Sequence, residues 1–270
     1  MNVNTETEIQ QLVQAFLSFY STHKFNPELS QVTDFLLAQA LNARGYNNFS
    51  NSDESGETFF IKSILAPTNP KLCFDVGANV GNYTSELLRA TNTKVISFEP
   101  LPTAFRTMQD QLQDFSDRVV FENKGVGAVN EDLVIHFSPN ALSHASFSEE
   151  VKKVSYITNE EQVHVPVVTL DSYCQEHHIN EIDFIKIDVE GYEAEVFKGA
   201  ERVLREIKPR FIQIEFNWHQ LFRNTALHYF SEQLPDYEVF QLLPNGWIAR
   251  DPRSPLSNIF ELSNFVFVRR

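Results

Sequence analysis

The chain has 270 residues, with 22 basic and 36 acidic side chains, a formal charge of −14, and only 9 glycines and 2 cysteines. That length suits one large domain with at most a small appendage, and an acidic excess without any run of Lys and Arg disfavours phosphate backbones and anionic lipid as partners. Cys73 and Cys174 cannot build a disulfide framework, no apolar run reaches the ~18 residues of a membrane span, and Glu6 and Glu8 stand where a secretory leader would be basic, so the expected setting is reducing and cytoplasmic.

The first elements are helical. Ile9, Leu12, Val13, Phe16, Leu17 and Tyr20 recur at three- and four-residue spacing, and Thr5 with Glu8 makes a capping-box start. A second helix opens at Pro27 and Ser30, carries Val32, Phe35, Leu36 and Ala40 on one face, and ends at Gly45. Residues 46–57, rich in Asn, Ser, Asp and Gly, read as a linker, and a short apolar helix runs from Thr58 to Ala66. The expected division is therefore a helical N-terminal appendage over 1–56 and one domain over 57–270. The exposed stripe of the appendage makes a homodimer through these helices an expectation.

After Pro70, short apolar runs alternate with helical stretches. Leu72–Val76, Lys94–Glu99, Val119–Glu122, Phe184–Asp188 and Phe211–Phe216 read as buried strands, and Asn79–Ala90, Pro102–Phe115 and Glu193–Ile207 as the helices between them. That alternation predicts an α/β fold, a doubly wound and mostly parallel sheet built from right-handed crossovers. Leu133–Phe137 and His164–Val168 are strand-like patches around a polar loop, and Asn264–Val268 looks like a last strand.

In a chain where glycine is about 3% against a usual ~7%, the glycines that remain mark positions where no other residue fits. Cys73–Tyr83 is a strand running into a tight turn and then a helix. Gly77 lets the backbone approach a ligand, and Gly81 lets the helix start pack closely. A dinucleotide fingerprint would need glycines where Asn79 and Asn82 stand, and Asp75 is ill placed beside a pyrophosphate. Glu99, closing the next strand about twenty residues on, suits the two hydroxyls of a ribose. A ribose without a pyrophosphate, in an acidic pocket, fits S-adenosylmethionine with its ammonium and sulfonium.

The motifs DVGANVG (75–81), SFEP (97–100), NKGVGA (123–128), VTLDSY (168–173), IKIDVEGYE (185–193) and IEF (214–216), in this order and spacing, resemble the FkbM family of S-adenosylmethionine-dependent O-methyltransferases. The resemblance runs from about Gly56 to the C-terminus. It implies a class I, Rossmann-like methyltransferase sheet of seven strands, mainly parallel, with a final antiparallel strand. It also implies cofactor contacts by Asp75, Gly77, Asn79 and Gly81 at the methionine portion, Glu99 and Pro100 at the ribose, and Asn123 and Val126 at the adenine, with Tyr83 and Thr84 in the first helical turn.

Transfer to a hydroxyl needs the acceptor oxygen aligned and its proton removed. Asp188 is the expected neighbour of the transferred methyl, with Glu190, Glu215 and His219 as further candidate catalytic groups. Asp188, Glu215 and Asn217 are oxygen donors at adjacent strand ends, a set that suits a magnesium ion holding an acceptor diol. Pro139–Phe147 is expected as a loop over the acceptor, and Phe216, Trp218 and Phe222 as an aromatic wall. The expected partner is a small-molecule or glycan acceptor bearing a hydroxyl, with neither nucleic acid nor membrane insertion. Two alternatives stand beside this reading: an NAD-dependent oxidoreductase, and a catalytically inactive fold that binds a partner through its N-terminal helices.

Overall fold

A computed structural model describes residues 3–153 and 157–270. The chain divides into two compact units, Met1–Tyr46 and Asn47–Arg270. In the first, helix α1 (Val3–His23) and helix α2 (Ser30–Ala43) are joined by a short turn that Asn26 caps, and the Tyr20 hydroxyl donates to Thr33 Oγ1 at 2.9 Å. Ile9, Leu12, Phe16 and Phe35 are exposed. No described helix is long and apolar enough to cross a membrane.

The second unit begins with ten residues that read as linker. They are tied to it by side chain and backbone: Ser52 Oγ donates to Glu86 Oε1 at 2.5 Å, and the backbone amide of Asn47 donates to the Leu262 carbonyl at 2.7 Å. Helix α3 (Glu57–Phe59) continues through a wider turn, Phe60–Leu65, into strand β1 (Leu72–Val76). Then follow α4 (Asn82–Ala90), β2 (Lys94–Phe98), α5 (Pro102–Gln111), β3 (Val119–Glu122), β4 (Gly125–Val126), β5 (Glu131–Ser138), β6 (Ala141–Ser146) and β7 (Glu161–Val168). The chain ends with α6 (Leu170–Glu176), β8 (Phe184–Ile187), α7 (Glu193–Lys198), β9 (Phe211–Phe216), α8 (Trp218–Phe222), α9 (Leu227–Gln233), β10 (Tyr237–Leu243), β11 (Gly246–Ala249) and β12 (Ser263–Arg269).

The main sheet has the order β11-β10-β12-β9-β8-β1-β2-β3. From β9 to β3 all neighbours are parallel, and β12 runs antiparallel between β9 and β10. The fold is thus the Rossmann-like α/β sheet expected, corrected from seven strands to eight. The additional one, β11, pairs antiparallel with β10 across a Pro244-Asn245 turn. Its Gly-Trp-Ile-Ala is apolar but only four residues long and partly exposed, too short to stand out as a strand.

A second sheet, β4-β7-β5-β6, lies outside the alternation. Here a further correction applies: the segment expected as a loop over the acceptor contains β6. A register shift against β5 between His136 and Ser138 breaks the period-two pattern, while Leu142, Ala145 and Phe147 pack on Ile135 and Phe137.

Phe184 anchors the core beneath the site. Its ring lies 5.2 Å from that of Phe60, which in turn is 5.6 Å from Phe211, all three essentially buried. Strand β1 sits between β8 and β2, so the strand order reverses there and the carboxyl ends of β1, β2, β8 and β9 open on one crevice. Truncation of Phe184 to Ala is expected to cost about 3–5 kcal/mol of unfolding free energy, read from the midpoint shift in urea denaturation.

Candidate active site

The crevice is built on the turn that leaves β1. Gly77, Asn79 and Gly81 all have positive φ (86°, 49° and 87°), which delays the start of α4 to Asn82. Gly77 is also where the loop presses on the exit of β8. A Cβ there would lie 1.7 Å from the Asp188 carbonyl oxygen, so no side chain fits. The amides of Gly77 and Ala78 both donate to the Phe98 carbonyl, at 3.0 and 2.9 Å, tying the turn to the end of β2.

Glu99 follows on that strand and is buried. Its Oε2 accepts from the Asn79 amide and its Oε1 from the Leu101 amide, each at 2.8 Å, and burial pushes its carboxyl up to about 7 despite those donors. Asn123 holds the same turn from behind: its side-chain amide donates to the Glu99 and Pro100 carbonyls. With Pro100, Val126, Leu142 and Phe147, Glu99 lines a cavity of about 230 Å³.

A second cavity, about 560 Å³, opens on the other side of the turn and is lined by Ser52, Ser55, Glu57, Asn82, Tyr83 and Lys186. Gly77, Asn79, Asp188 and Glu215 line both. Asp75 and Thr84 line neither. Asp75 is fully buried under the turn, its Oδ2 accepting from Thr84 Oγ1 at 2.6 Å, which makes the pair a support for the turn. Among the described residues, its Oδ1 and the Asn79 Oδ1 are buried without a hydrogen-bond partner.

At the junction of the cavities, Asp188, Glu190 and Glu215 bring their carboxylate oxygens within 4.8 Å of one another. Lys186 compensates part of this charge. Its Nζ donates to Asp188 Oδ2 at 2.6 Å and lies 4.0 Å from Glu57 and 4.8 Å from the centre of the Tyr83 ring. Burial favours the neutral amine, but the carboxylates of Asp188, Glu57 and Asp75 outweigh it and hold Lys186 charged. Burial, and then repulsion within the trio, pushes the carboxyls of Glu190 and Glu215 well above their usual range.

Glu190 also has φ +51°, a left-handed conformation uncommon outside glycine, and Ser146 Oγ donates to its carbonyl at 2.7 Å. Behind it stands His219, buried, with Nδ1 3.2 Å from Glu190 Oε2 and its pKa lowered by burial to about 4. His219 lines neither cavity, and its ring faces the trio at Glu190.

Asn217 differs from its expected place as a metal donor. Its Oδ1 caps α8 by accepting from the His219 amide, and its Nδ2 donates to Glu215 Oε1 at 2.6 Å, so Glu190 stands third in the acidic set instead. No aromatic wall forms either. Phe216 is buried against Phe260 and Phe265, while Trp218 and Phe222 pack on Ile157. Sequence reasoning missed Glu57, which arrives from the polar segment before β1. It accepts from Ser55 Oγ and from Gln213 Nε2, and Gln213 in turn accepts from the Tyr83 hydroxyl. In the sequence Glu57 reads as part of the linker, whereas it opens helix α3.

Residues 75–240 match the methyltransferase FkbM domain model, more than half of the chain, and the chain belongs to that family. Membership in this methyltransferase family implies S-adenosylmethionine as the methyl donor and argues against the oxidoreductase alternative. Among similar proteins is the hexuronic acid methyltransferase AglP of Haloferax volcanii, 28% identical over 167 residues, which are 60% of this chain and 64% of the relative. The match thus spans less than two thirds of AglP. The 2-O-methyltransferase NoeI of Sinorhizobium fredii is 24% identical over 199 residues, 69% of this chain and 79% of NoeI. Among solved structures, a putative O-methyltransferase from Klebsiella pneumoniae superposes with a TM-score of 0.46 at 12% identity, covering 94% of this chain and 96% of that one.

The buried Glu99 sets a pH dependence whose sign follows from its shift. Its carboxyl rises from an ordinary 4.5 to about 7, so between those values the folded state holds a proton that the unfolded chain releases, and stability from this group falls as pH rises through that window. Glu99→Gln should remove that slope, on the order of 3 kcal/mol between pH 5 and 8 in urea titrations. An unchanged slope would refute the assignment.

Proposed function

We propose that this chain is an S-adenosylmethionine-dependent O-methyltransferase whose acceptor is a hydroxyl of a sugar, sugar acid or similar small polyol, free or within a glycan. The observation that carries the reading is the arrangement around Gly77: a ribose-accepting carboxylate in one cavity, a polar, charged cavity on the other side, and three carboxylates at the junction. Each oxygen of Glu99 has one backbone donor and keeps a lone pair for a ribose hydroxyl. Pro100 and Val126 offer apolar surface to an adenine, and the unpartnered Asn79 Oδ1 marks a polar group that lacks a donor. The cationic amino-acid portion would lie toward Glu57 and Tyr83.

When bound, S-adenosylmethionine supplies the methyl group on a sulfonium leaving group. The chain's own residues orient the acceptor and take its proton. Asp188, fixed by Lys186, presents its negative charge where the methyl is expected. Glu190 and Glu215 lie together beside Asp188, and either one in its ionised form would take the hydroxyl proton as general base, while burial and mutual repulsion raise both carboxyls and strengthen them as bases.

The names of the two relatives, one for a hexuronic acid and one for 2-O transfer, support a polyol acceptor. Incubation with S-adenosylmethionine and a panel of hexuronic acids, neutral sugars and phenols should release S-adenosylhomocysteine with at least one sugar. Glu215→Gln should lower kcat by about 10²–10⁴-fold. Failure to bind S-adenosylmethionine at millimolar concentration contradicts the proposal.

The acidic trio also favours a second reading, in which Asp188, Glu190 and Glu215 would hold a divalent cation that would supply Lewis-acid activation of an acceptor hydroxyl. Under it, the electron paramagnetic resonance signal of added Mn²⁺ diminishes on binding to the wild-type chain and not to Glu190→Gln. An equal signal in both would discard the ion.

A further inference from the structure

Glu193 ends the motif that begins at Ile185 and lines neither cavity, yet it is 2% exposed and keeps a carboxylate among other carboxylates. Its Oε1 accepts from the amides of Val189 and Gly191, at 3.1 and 3.2 Å, on either side of Glu190. Its Oε2 accepts from Gln220 Nε2 at 2.7 Å, and Gln220 Oε1 accepts from the Asn217 amide at 2.8 Å. Asn217 Nδ2 then donates to Glu215 Oε1. These three partners of Glu193 are neutral N–H donors. They do not neutralise its charge, and burial pushes its carboxyl up to about 7. A buried carboxylate beside Asp188 and Glu190 raises the energy of the fold, so a neutral residue of similar shape would be the cheaper choice unless the geometry were needed.

From this geometry we propose that Glu193 is a positioning residue for methyl transfer. It clamps the left-handed turn that carries Glu190 and, through Gln220 and Asn217, fixes the distance from that turn to Glu215, so that the three acidic groups converge on the methyl. The inference rests on the methyltransferase reading of the cavities. It adds a residue that touches neither cofactor nor acceptor and acts through the two arms of the trio.

The test needs no acceptor. S-adenosylhomocysteine presents a neutral thioether at the reacting centre, whereas sinefungin carries an ammonium where the methyl would be and so senses the carboxylates. Calorimetry on the full chain should show sinefungin favoured over S-adenosylhomocysteine by about tenfold or more in the wild type. Glu193→Gln sets the new amide nitrogen against the Gln220 donor. It should cut the preference to about threefold or less while changing S-adenosylhomocysteine affinity by less than about twofold.

The double variant Glu193→Gln/Gln220→Glu restores the network: the new amide donates to the new carboxylate, whose other oxygen accepts from the Asn217 amide. It should regain the preference, a rescue that simple destabilisation does not give. Should Glu193→Gln fail to fold, Gln220→Met, which cuts the link to Asn217 and leaves the backbone clamp, carries the same expected loss. A preference that is absent in the wild type, unmoved in these variants, or not regained in the double variant overturns the proposal. Wild-type protein that binds neither compound refutes instead the methyltransferase reading on which it rests.

Discussion

The backbone of Gly77 lies against the carbonyl of Asp188 so closely that a single methyl group would collide with it. That contact sets the site. It fixes the turn after β1 against the exit of β8, leaving one cavity on each side and the carboxylates of Asp188, Glu190 and Glu215 at the junction. The second tie, from the Gly77 and Ala78 amides to the Phe98 carbonyl, brings Glu99 to the same place. Everything chemical in the crevice is positioned by main chain first and by side chains second, which is why the surrounding turns tolerate positive φ at Asn79 and Glu190.

Charge is the second constraint. Asp75, Glu57, Glu99, Asp188, Glu190, Glu193 and Glu215 crowd around one buried lysine, far more negative charge than Lys186 balances. Burial raises several of these carboxyls and so favours their neutral forms, whereas a cationic ligand would favour the ionised ones. A pocket of this kind is poorly stable in isolation and well suited to a sulfonium. The chain spends stability on it and recovers stability in the aromatic core under β1, β8 and β9.

Much of this was legible in the residues. Buried strands read as unbroken apolar runs, so β1, β2, β8 and β9 and the reversal between them could be placed, and the scarcity of glycine made Gly77 and Gly81 conspicuous. Glu99, Asp188 and Glu190 were legible because each follows a strand at its carboxyl end, and Glu215 because it stands in the last two residues of β9. What escaped notice depended on distance along the chain. Glu57 lies in a stretch whose composition says linker, and contacts far along the chain, its hydrogen bond to Gln213 156 residues away and its approach to Lys186, make it part of the site. Asn217 looked like a metal donor because spacing does not show that a helix begins beside it and takes its oxygen as a cap. The short exposed strand β11 and the register-shifted β6 lacked a period, and Asp75, though in a conspicuous motif, turned out to face the core under the turn.

The most direct test of the account is a crystal structure with S-adenosylhomocysteine soaked or grown in. The ribose hydroxyls should donate to Glu99, the adenine should lie against Pro100 and Val126, and the sulfur should face the Asp188, Glu190 and Glu215 carboxylates across Gly77. Density for the ribose away from Glu99, or a sulfur turned from that trio, would contradict it.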